Sequence, residues 1–362
     1  MTKKIMPQFL STRGVIAEDA KHIFADTADI LPLLSGKKLL LTGASGFLGG
    51  YFLDIFSFLN NEVLEQPLHV IAADNLRACD ASRAEHLKKD KNFSFLHHDV
   101  TQPLEAMGAL DYIIHAASIA SPIFYRQYPL ETIDVNVNGT WRMLEMAAAQ
   151  KVKSILYFSS SEIYGNPPPD AIPTPEIFWG NVSCTGPRAC YDESKRLAET
   201  LCATFYEKYA VPVKIIRPFN VYGPGQRLDD QRIIPDLISS VLTKECITLY
   251  SDGTPTRSFC YISDFISASL LVLLSDANGE AFNVGNAEEV SMKQAAVIAA
   301  NLRGGSPLPI CFQKSGDTNY LKDNPDRRCP DLSKIHSRFN WKAKTSLQQG
   351  LERTLRSYGQ GA

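Results

Sequence analysis

The chain has 362 residues, and its 37 Lys and Arg against 39 Asp and Glu leave a formal net charge of −2. At roughly 150 residues per domain, this length predicts two domains or one large α/β domain with an annex. The balanced charge argues against nucleic acid or an anionic membrane as the main partner, and no segment reaches the roughly 18 consecutive apolar residues of a membrane span.

Residues 1–36 are predicted to form a helical appendage. Apolar residues recur at helical spacing from Glu18 to Leu34, which predicts one amphipathic helix that either packs on the main domain or meets a partner. The N-terminus has neither the apolar core nor the small-residue cleavage site of a secretory signal. Eight cysteines without metal-binding spacing are typical of reduced thiols in a cytoplasmic protein, although Cys184 and Cys190 leave a regulatory disulfide open.

Short apolar strands alternate with helices from Lys37 onward, which predicts a parallel sheet covered on both faces. The predicted strands are 38–42, 68–73, 93–96, 112–115, 154–159 and 213–216, and the predicted helices are 47–59, 130–150, 191–209 and 347–358. After Arg217 the regularity breaks into loops rich in proline and glycine. We therefore predict a doubly wound α/β domain over 37–216 and a smaller α/β domain over 217–362, some of whose segments return to the first.

A glycine-rich turn follows the first predicted strand and opens a helix. Gly43 allows a tight turn, Gly46 lets the backbone approach a pyrophosphate, and Gly49 lets the helix pack closely on the strand. Asp74 ends the next strand, where its carboxylate can accept hydrogen bonds from an adenosine ribose and repel a 2′-phosphate. The pattern therefore favours NAD over NADP as the cofactor. Arg77 is close enough to leave NADP binding as an alternative, and a structural role for Asp74 in a turn or cap also stays open.

A tyrosine and a lysine four residues apart begin a long predicted helix, in the run Tyr191-Asp-Glu-Ser-Lys195. They lie on one helix face, so we expect the Lys195 ammonium to lower the pKa of Tyr191 and make it a general base for a sugar hydroxyl. Ser160 ends a strand that should approach this helix, and it is expected to bond the same hydroxyl. Such a pair alone usually marks a solvated helix face, but its order after the glycine turn and Asp74 favours an active site.

These motifs together resemble the extended short-chain dehydrogenase/reductase superfamily, the NAD-dependent nucleotide-sugar epimerases and dehydratases. The resemblance runs from about Lys37 to Tyr358, and within the superfamily it is strongest to the UDP-glucuronate decarboxylases. The stretches that carry it are 115–118, 121–125, 161–165, 179–182, 186–199, 217–220, 223–224, 230–232, 256–259 and 328–331, together with Trp341. The resemblance implies a Rossmann domain with a smaller C-terminal substrate-binding domain.

One position separates the chemistries within this superfamily. By resemblance, a hexose 4,6-dehydratase carries an Asp-Glu pair after the serine strand. The Asp position is Ser161 here, so the acid for a leaving hydroxyl is missing. A 4-epimerase needs no carboxylate there, yet Glu162 follows. The Ser-Glu pair resembles the one found in the UDP-glucuronate decarboxylases. Their 4-keto intermediate is a β-keto acid, which loses CO2 without an acid for a leaving hydroxyl. A structural role for Glu162, in a helix cap or a salt bridge, stays open.

The resemblance implies a reaction on UDP-glucuronate in which NAD is a bound catalyst. Oxidation at C4, loss of CO2 from C5, protonation at C5 and return of the hydride to C4 would give UDP-xylose. The implied catalytic residues are Tyr191, Lys195, Ser160 and Glu162, with Ser160 serving the C4 step and Glu162 the C5 step. Residues implied for the cofactor are Gly43, Ser45, Gly46, Phe47, Leu48, Gly49, Asp74, Asn75, Asp99, Val100, Ala116, Ala117, Ser118, Tyr191, Lys195, Pro218, Asn220 and Val221. Those implied for the nucleotide sugar are Ser121, Tyr125, Ser161, Arg188, Asn220, Arg232, Tyr250 and Arg257, and no metal is expected.

Other functions stay open on these residues. A nucleotide-sugar C4 epimerase, or an oxidase or dehydratase that forms a 4-keto product, would use the same tyrosine and cofactor. A non-catalytic NAD(H)-binding protein is an alternative of another class. The resemblance also implies a homodimer through helices 191–209 and 130–150. The apolar stripe of Ala198, Leu201, Cys202 and Phe205 fits that interface, although packing within one subunit explains it equally.

Overall fold

A computed structural model describes residues 5–77, 81–104, 108–313 and 324–359. The strands are β1 (Lys38–Thr42), β2 (His69–Asp74), β3 (Phe93–His97), β4 (Tyr112–His115), β5 (Ser154–Phe158), β6 (Val213–Pro218), β7 (Val221–Tyr222), β8 (Ile247–Leu249), β9 (Thr256–Ser258), β10 (Cys260–Tyr261), β11 (Ala281–Val284), β12 (Glu289–Ser291), β13 (Ile310–Phe312) and β14 (Arg327–Arg328). The helices are α1 (Ile5–Thr27), α2 (Phe47–Glu62), α3 (Pro122–Gln127), α4 (Pro129–Asp134), α5 (Thr140–Gln150), α6 (Ala189–Tyr209), α7 (Ile233–Thr243), α8 (Ile262–Leu273), α9 (Met292–Ala300), α10 (Ser333–Phe339) and α11 (Leu347–Ser357).

Seven parallel strands form the main sheet, in the order β11-β6-β5-β4-β1-β2-β3. The central strands are apolar on both faces because helices cover both, and Leu39, Leu40 and Leu41 of β1 are fully buried. The chain reverses its direction of strand addition between β1 and β4, which opens a crevice at their carboxyl ends. The predicted doubly wound sheet is confirmed, and each of its first six strands lies within two residues of its predicted bounds.

The C-terminal part of the chain contributes both to this sheet and to smaller ones. β11 pairs in parallel with β6 at the edge of the main sheet. β9 pairs with β12 and β14, and the parallel register of β9 and β14 places Arg257 opposite Arg328. β13 pairs with β8, and β10 with β7. The predicted domain division at residue 216 stays a prediction.

The N-terminal helix differs from its predicted bounds. α1 runs from Ile5 to Thr27, whereas residues 31–34 form a separate 3-10 turn. The break precedes Pro32, which lacks the N–H that a continuing helix would need. α1 packs against α8 and α11. The carboxylate of Asp19 is completely buried there, and it accepts hydrogen bonds from the hydroxyls of Tyr51 and Tyr261 and from Arg353.

The helix predicted over 130–150 is also divided. α4 ends at Asp134, a π-turn spans Val135–Gly139, and α5 follows from Thr140. Asn136 in the π-turn accepts a hydrogen bond from Ser118 at 2.7 Å and donates one to Ser194 at 2.9 Å, so the turn joins the β4 loop to α6. π-turns of this kind often occur beside functional sites.

The apolar stripe predicted on the long helix belongs to the core of the same subunit. Ala198 and Cys202 are fully buried, Phe205 is nearly so, and Leu201 packs on them from a half-buried position. They contact the apolar side chains of β4, β5 and β6. Packing within one subunit therefore explains this stripe, and a dimer interface does not. α6 itself matches its prediction, beginning two residues earlier at Ala189.

Across the described ranges, the seven cysteines that fall within them are free thiols; Cys184 is exposed and Cys190 half-buried. Cys79 lies outside the described residues. No helix in the described part of the chain has the length and apolar character to cross a membrane. Within the same residues, no group of three or more His, Cys, Asp or Glu side chains is placed to hold a metal ion.

Candidate active site

The glycine turn between β1 and α2 leaves no room for side chains. A Cβ on Gly43, which has a φ of +71°, would lie 2.8 Å from the backbone of Ala116. A Cβ on Gly49 would lie 2.1 Å from the carbonyl oxygen of Gly43. Gly46 is the N-cap of α2 and no side chain caps this end. The first N–H groups of α2 therefore stay available to an anion, as binding of a pyrophosphate requires.

Acidic side chains surround the adenosine end of the crevice. The Asp74 carboxylate accepts hydrogen bonds from the backbone N–H groups of Ser45, at 2.9 Å, and Leu76, at 2.8 Å. These bonds fix both oxygens at the mouth of the turn while leaving them further lone pairs for ribose hydroxyls. Asn75 donates to Asp99 at 3.0 Å, which ties the ends of β2 and β3 together. The alternative NADP ligand Arg77 is a largely exposed side chain, 3.8 Å from Asp99.

A cleft of about 440 Å³ begins at this turn and extends along the carboxyl ends of the strands to Tyr191. All but one of the residues implied for the cofactor line it, namely Gly43, Gly46, Phe47, Leu48, Gly49, Asp74, Asn75, Asp99, Val100, Ala116, Ala117, Ser118, Tyr191, Lys195, Pro218, Asn220 and Val221. The exception is Ser45, whose N–H holds Asp74. Asn220 Oδ1 is buried and has no hydrogen-bond partner among the described residues. The turn, the acidic pair and this unsatisfied oxygen fit a dinucleotide.

The long helix and the serine strand meet at the inner end of the cleft. Ser160 and Tyr191 both line this end of the cleft, and the interaction with the Ser160 side chain acts to lower the pKa of Tyr191. The rings of Tyr125 and Tyr191 stack at a centroid distance of 5.1 Å and an interplanar angle of 15°. Tyr125 Oη is buried without a partner in the described structure, so the tyrosine pair presents an unsatisfied hydroxyl beside the base.

The expected effect of Lys195 on Tyr191 is wrong for this structure. Burial raises the pKa of Tyr191 to about 12, and the interaction with the Ser160 side chain only partly offsets it. Burial also lowers the pKa of Lys195 to about 7. Lys195 Nζ donates to the Phe158 carbonyl at 2.7 Å and lies 5.8 Å from the centre of the Tyr191 ring. Both residues lie in α6 as predicted, but burial is the largest influence on the pKa of Tyr191.

Glu162 is held between two arginines, an arrangement that we call the Glu162 clamp. Arg188 Nη2 donates to its carboxylate, and Arg328 binds both oxygens through its guanidinium fork, with Nη2 2.6 Å from Oε2. Burial alone would raise the pKa of Glu162, but the two positive charges outweigh it and lower the pKa to about 2. Glu162 is therefore ionised, and its implied part in the C5 step stays a prediction.

The residues implied for the nucleotide sugar divide into three groups. Tyr125, Ser161, Asn220 and Arg232 line the cleft. Arg188 and Ser121 lie next to the cleft residues without lining the cleft. Arg188 donates a hydrogen bond to Glu162. Ser121 is the N-cap of α3, and its buried hydroxyl lacks a partner in the described chain. Tyr250 and Arg257 are not among the described lining residues.

Tyr250 and Arg257 lie apart because of the strands that carry them. Tyr250 follows β8 and is about two-fifths exposed. Arg257 is buried on β9, where its guanidinium donates to the Thr256 carbonyl at 2.6 Å and to Asn324 at 2.9 Å. Because β9 pairs with β14, Arg257 lies next to Arg328, and of the two only Arg328 lines the cleft.

Two charged residues of the site were missed by sequence reasoning. Arg328 lies in a stretch that resembled the family, but its pairing with Glu162 joins positions 166 residues apart and has no local signal. Asp192 directly follows Tyr191, and only that adjacency could have drawn attention to it. It is buried beside Arg188, with its Oδ2 3.9 Å from Arg188 Nε.

Comparisons with known proteins agree with this geometry. Residues 39–285 match the model of the NAD dependent epimerase/dehydratase family. UDP-glucuronic acid decarboxylase 5 of Arabidopsis thaliana is 37% identical over 317 residues, covering 88% of each chain. UDP-glucuronic acid decarboxylase 1 of Xenopus tropicalis is 34% identical over 322 residues, covering 88% of this chain and 71% of that protein.

Solved structures share the fold over most of the chain. A UDP-glucuronic acid 4-epimerase variant from Bacillus cereus, in complex with a UDP-fluoro-sugar acid and NAD, has a TM-score of 0.74 and 25% identity, covering 89% of this chain and 98% of the other. DesIV, a dTDP-glucose 4,6-dehydratase from Streptomyces venezuelae with NAD bound, has a TM-score of 0.75 and 23% identity, covering 89% and 96%. The chain belongs to the NAD dependent epimerase/dehydratase family.

Proposed function

We propose that this chain decarboxylates UDP-glucuronate to UDP-xylose through a 4-keto intermediate, with NAD as its bound cofactor. The observation that carries the proposal is the Glu162 clamp: an ionised carboxylate and two arginines stand beside Ser160 and Tyr191. The curated relatives that match nearly the whole chain at 34–37% identity are UDP-glucuronic acid decarboxylases, which supports the same reaction.

The cofactor's place follows from the glycine turn. Residues of the turn would hold the pyrophosphate at the N-terminus of α2, and Asp74 would hold the adenosine ribose. When bound there, NAD supplies reversible hydride transfer at the sugar C4. The protein's own contribution is to place the C4 hydroxyl against Tyr191 and to exclude water from the buried end of the cleft.

Proton transfer at C4 belongs to the Ser160–Tyr191 pair. Both side chains line one end of the cleft, so a sugar hydroxyl placed between them would have two partners and its proton a short path to Tyr191. Arg232 favours the ionised form of Tyr191, and Lys195 lies within 5.8 Å of the tyrosine ring. The positive charge of Arg232 opposes the effect of burial on the pKa of the tyrosine.

The chemistry at C5 and C6 requires no acid for a leaving hydroxyl. A 4-keto sugar acid is a β-keto acid and loses CO2 without one, and the enolate that is left then takes up a proton at C5. Ser161 stands where the resembling dehydratases carry an aspartate, and the ionised Glu162 beside it cannot protonate a hydroxyl. Arg188 and Arg328 supply the positive charge that a sugar carboxylate would need to enter this end of the cleft.

The experiment is incubation of the purified protein with UDP-glucuronate and NAD, with products read by mass spectrometry. We expect UDP-xylose and CO2, with no net NADH. UDP-galacturonate would indicate a C4 epimerase, and accumulated NADH with a 4-keto product would indicate an oxidase. UDP-glucose is the matched control because it carries a neutral hydroxymethyl group in place of the C6 carboxylate. Turnover of UDP-glucose with UDP-glucuronate left untouched would overturn the proposal.

We also propose that the protein is a homodimer through α4, α5 and α6. Large apolar side chains on these helices face solvent, with Leu130 76% exposed, Leu197 48% and Tyr209 53%. Pairing of this face with its copy would bury them in an isologous contact. We expect a dimer mass in analytical ultracentrifugation, shifted toward monomer by Leu197→Glu. A monomer mass that does not change with protein concentration would contradict this.

A further inference from the structure

Asp192 is a buried acid at the sugar end that the proposed mechanism does not use. It lies one turn after Arg188 in α6 and is 5% exposed. Its Oδ2 is 3.9 Å from Arg188 Nε, which is too long for a hydrogen bond. Asp192 Oδ1 and Arg188 Nε are both buried and have no hydrogen-bond partner among the described residues. A carboxyl so placed gains little stabilisation for its charged form.

The groups around Asp192 come from four elements. From α6 they are Arg188, Glu193, Tyr191 and the half-buried Cys190 thiol, and from the turn after β5, α3 and β14 they are Glu162, Tyr125 and Arg328. Arg328 donates both of its terminal nitrogens to Glu162, and Arg188 donates its Nη2. Burial therefore dominates, and with the negative charge of Glu162 it raises the pKa of Asp192 to about 8, against the pull of the two arginines.

We propose that Asp192 is a positioning residue that distinguishes a sugar with a carboxylate from one without. It takes up a proton when a carboxylate binds at the Glu162 clamp and releases it when that carboxylate is lost as CO2. This inference rests on the proposed function, because it needs an anionic substrate and a product that has lost the charge.

The direction of the effect follows from the charges. A second carboxylate bound at Arg188 and Arg328 partly neutralises the two positive charges that favour ionised Asp192. It also adds a negative charge close to the Asp192 carboxylate. Both changes raise the pKa of Asp192, so above the pH at which the free protein loses this proton, binding must draw one from solvent. Affinity for the anionic sugar then falls up to tenfold per pH unit, whereas affinity for the neutral sugar does not.

The test is calorimetric titration at pH 8.5 in two buffers of different ionisation enthalpy, with NAD present and with Tyr191→Phe as the background that prevents turnover. The slope of the observed enthalpy against the buffer enthalpy counts the protons taken up. We expect UDP-glucuronate to take up ~0.5 proton more than UDP-xylose. UDP-xylose carries the same diphosphate and would occupy the same cleft beside Lys195, so it removes their contributions from the difference.

Two variants assign the proton. Asp192→Asn keeps the shape but cannot titrate, and we expect it to abolish the difference between the two ligands. Glu193→Gln is the matched control, because Glu193 is a neighbouring acid of the same helix that is only half-buried and is paired with Arg196 at 3.4 Å. It should keep the difference. Arg257, whose pKa burial and the charge of Arg328 lower to about 9, could also take up a proton, and Asp192→Asn separates the two because it leaves Arg257 in place.

The outcomes are distinct. Equal proton uptake with both sugars, or a difference that survives in Asp192→Asn, overturns the proposal. If Asp192→Asn does not fold, the ratio of the two affinities measured from pH 7 to 9.5 in the parent protein decides, since a ratio independent of pH overturns it. Binding of UDP-glucuronate with the expected uptake, but without decarboxylation by the unmodified chain, contradicts the proposed function alone.

Discussion

The two ends of the cleft are built by different means. At the cofactor end, the turn at Gly43 and Gly49 excludes side chains by backbone contact, and the Asp74 carboxylate is fixed by N–H groups at most 29 residues away. At the sugar end, Glu162 is held by side chains, and one of its partners is 166 residues away. The first end depends on local steric fit, while the second depends on charges that only the complete fold brings together.

This difference predicts different kinds of sensitivity. A change at the cofactor end should act on one ligand, since the turn and its acid form a small, local unit. A change at the sugar end should act on catalysis and on stability together, because each charge there is buried against another. Three substitutions probe that contrast.

Tyr191→Phe should have the largest effect, because it removes the proton acceptor and leaves the cofactor end untouched. We expect turnover to fall by roughly 10²–10⁴-fold. NAD affinity, measured by fluorescence titration, should stay within a few-fold of the parent. A phenylalanine variant that keeps a tenth or more of the parent rate would show that the hydroxyl is not the base.

Arg328→Ala should cost both activity and stability. It leaves the buried Glu162 with one cation, and loss of one partner of a buried ion pair costs about 3–5 kcal/mol in the free energy of unfolding. The matched control is its neighbour Arg327, which is half-exposed in a pair with Glu289, so that Arg327→Ala should cost ~0–1 kcal/mol. Urea unfolding of both variants measures the difference, and equal losses would show that the clamp does not stabilise the fold.

Asp74→Asn should have the smallest effect and should act on the cofactor alone. It removes the charge that would repel a 2′-phosphate and weakens the bonds to Ser45 and Leu76. With hydrogen bonds to a charged group contributing about 1.5–3 kcal/mol, we expect NAD affinity to fall roughly 10- to 100-fold. Affinity for NADP should fall less or rise. Preference of the parent protein for NADP in the same titration would give the role to Arg77 instead.

Local patterns explain what could be predicted from the sequence. Apolar runs bounded by turns predicted the strands of the main sheet. The glycine spacing and Asp74 predicted a dinucleotide-binding turn after the first strand. Both patterns involve residues that are close together in the sequence. The helix predicted from Glu18 ran past Thr27 because apolar spacing continues to Leu34, although Pro32 prevents a single helix. The π-turn at Val135–Gly139 has no periodic signal that distinguishes it from α-helix.

The sugar end could be predicted only in part. Tyr191, Ser160 and Glu162 were placed together because one helix and one strand end carry them. Arg328 was missed and Arg257 was assigned to the cleft, because the pairing of β14 with β9 decides which arginine reaches Glu162 and that pairing leaves no trace in the spacing. The pKa of Tyr191 moved opposite to expectation, since burial depends on the whole fold.

The buried carboxylate of Asp19 bears on the order in which the protein can be assembled. Its partners include Tyr261 and Arg353, which follow it by 242 and 334 residues. The ribosome therefore releases the first helix long before the side chains that complete its packing exist. Docking of α1 is a late event of cotranslational folding, and chains stalled before α11 should leave this helix open to proteolysis while their central sheet is already protected.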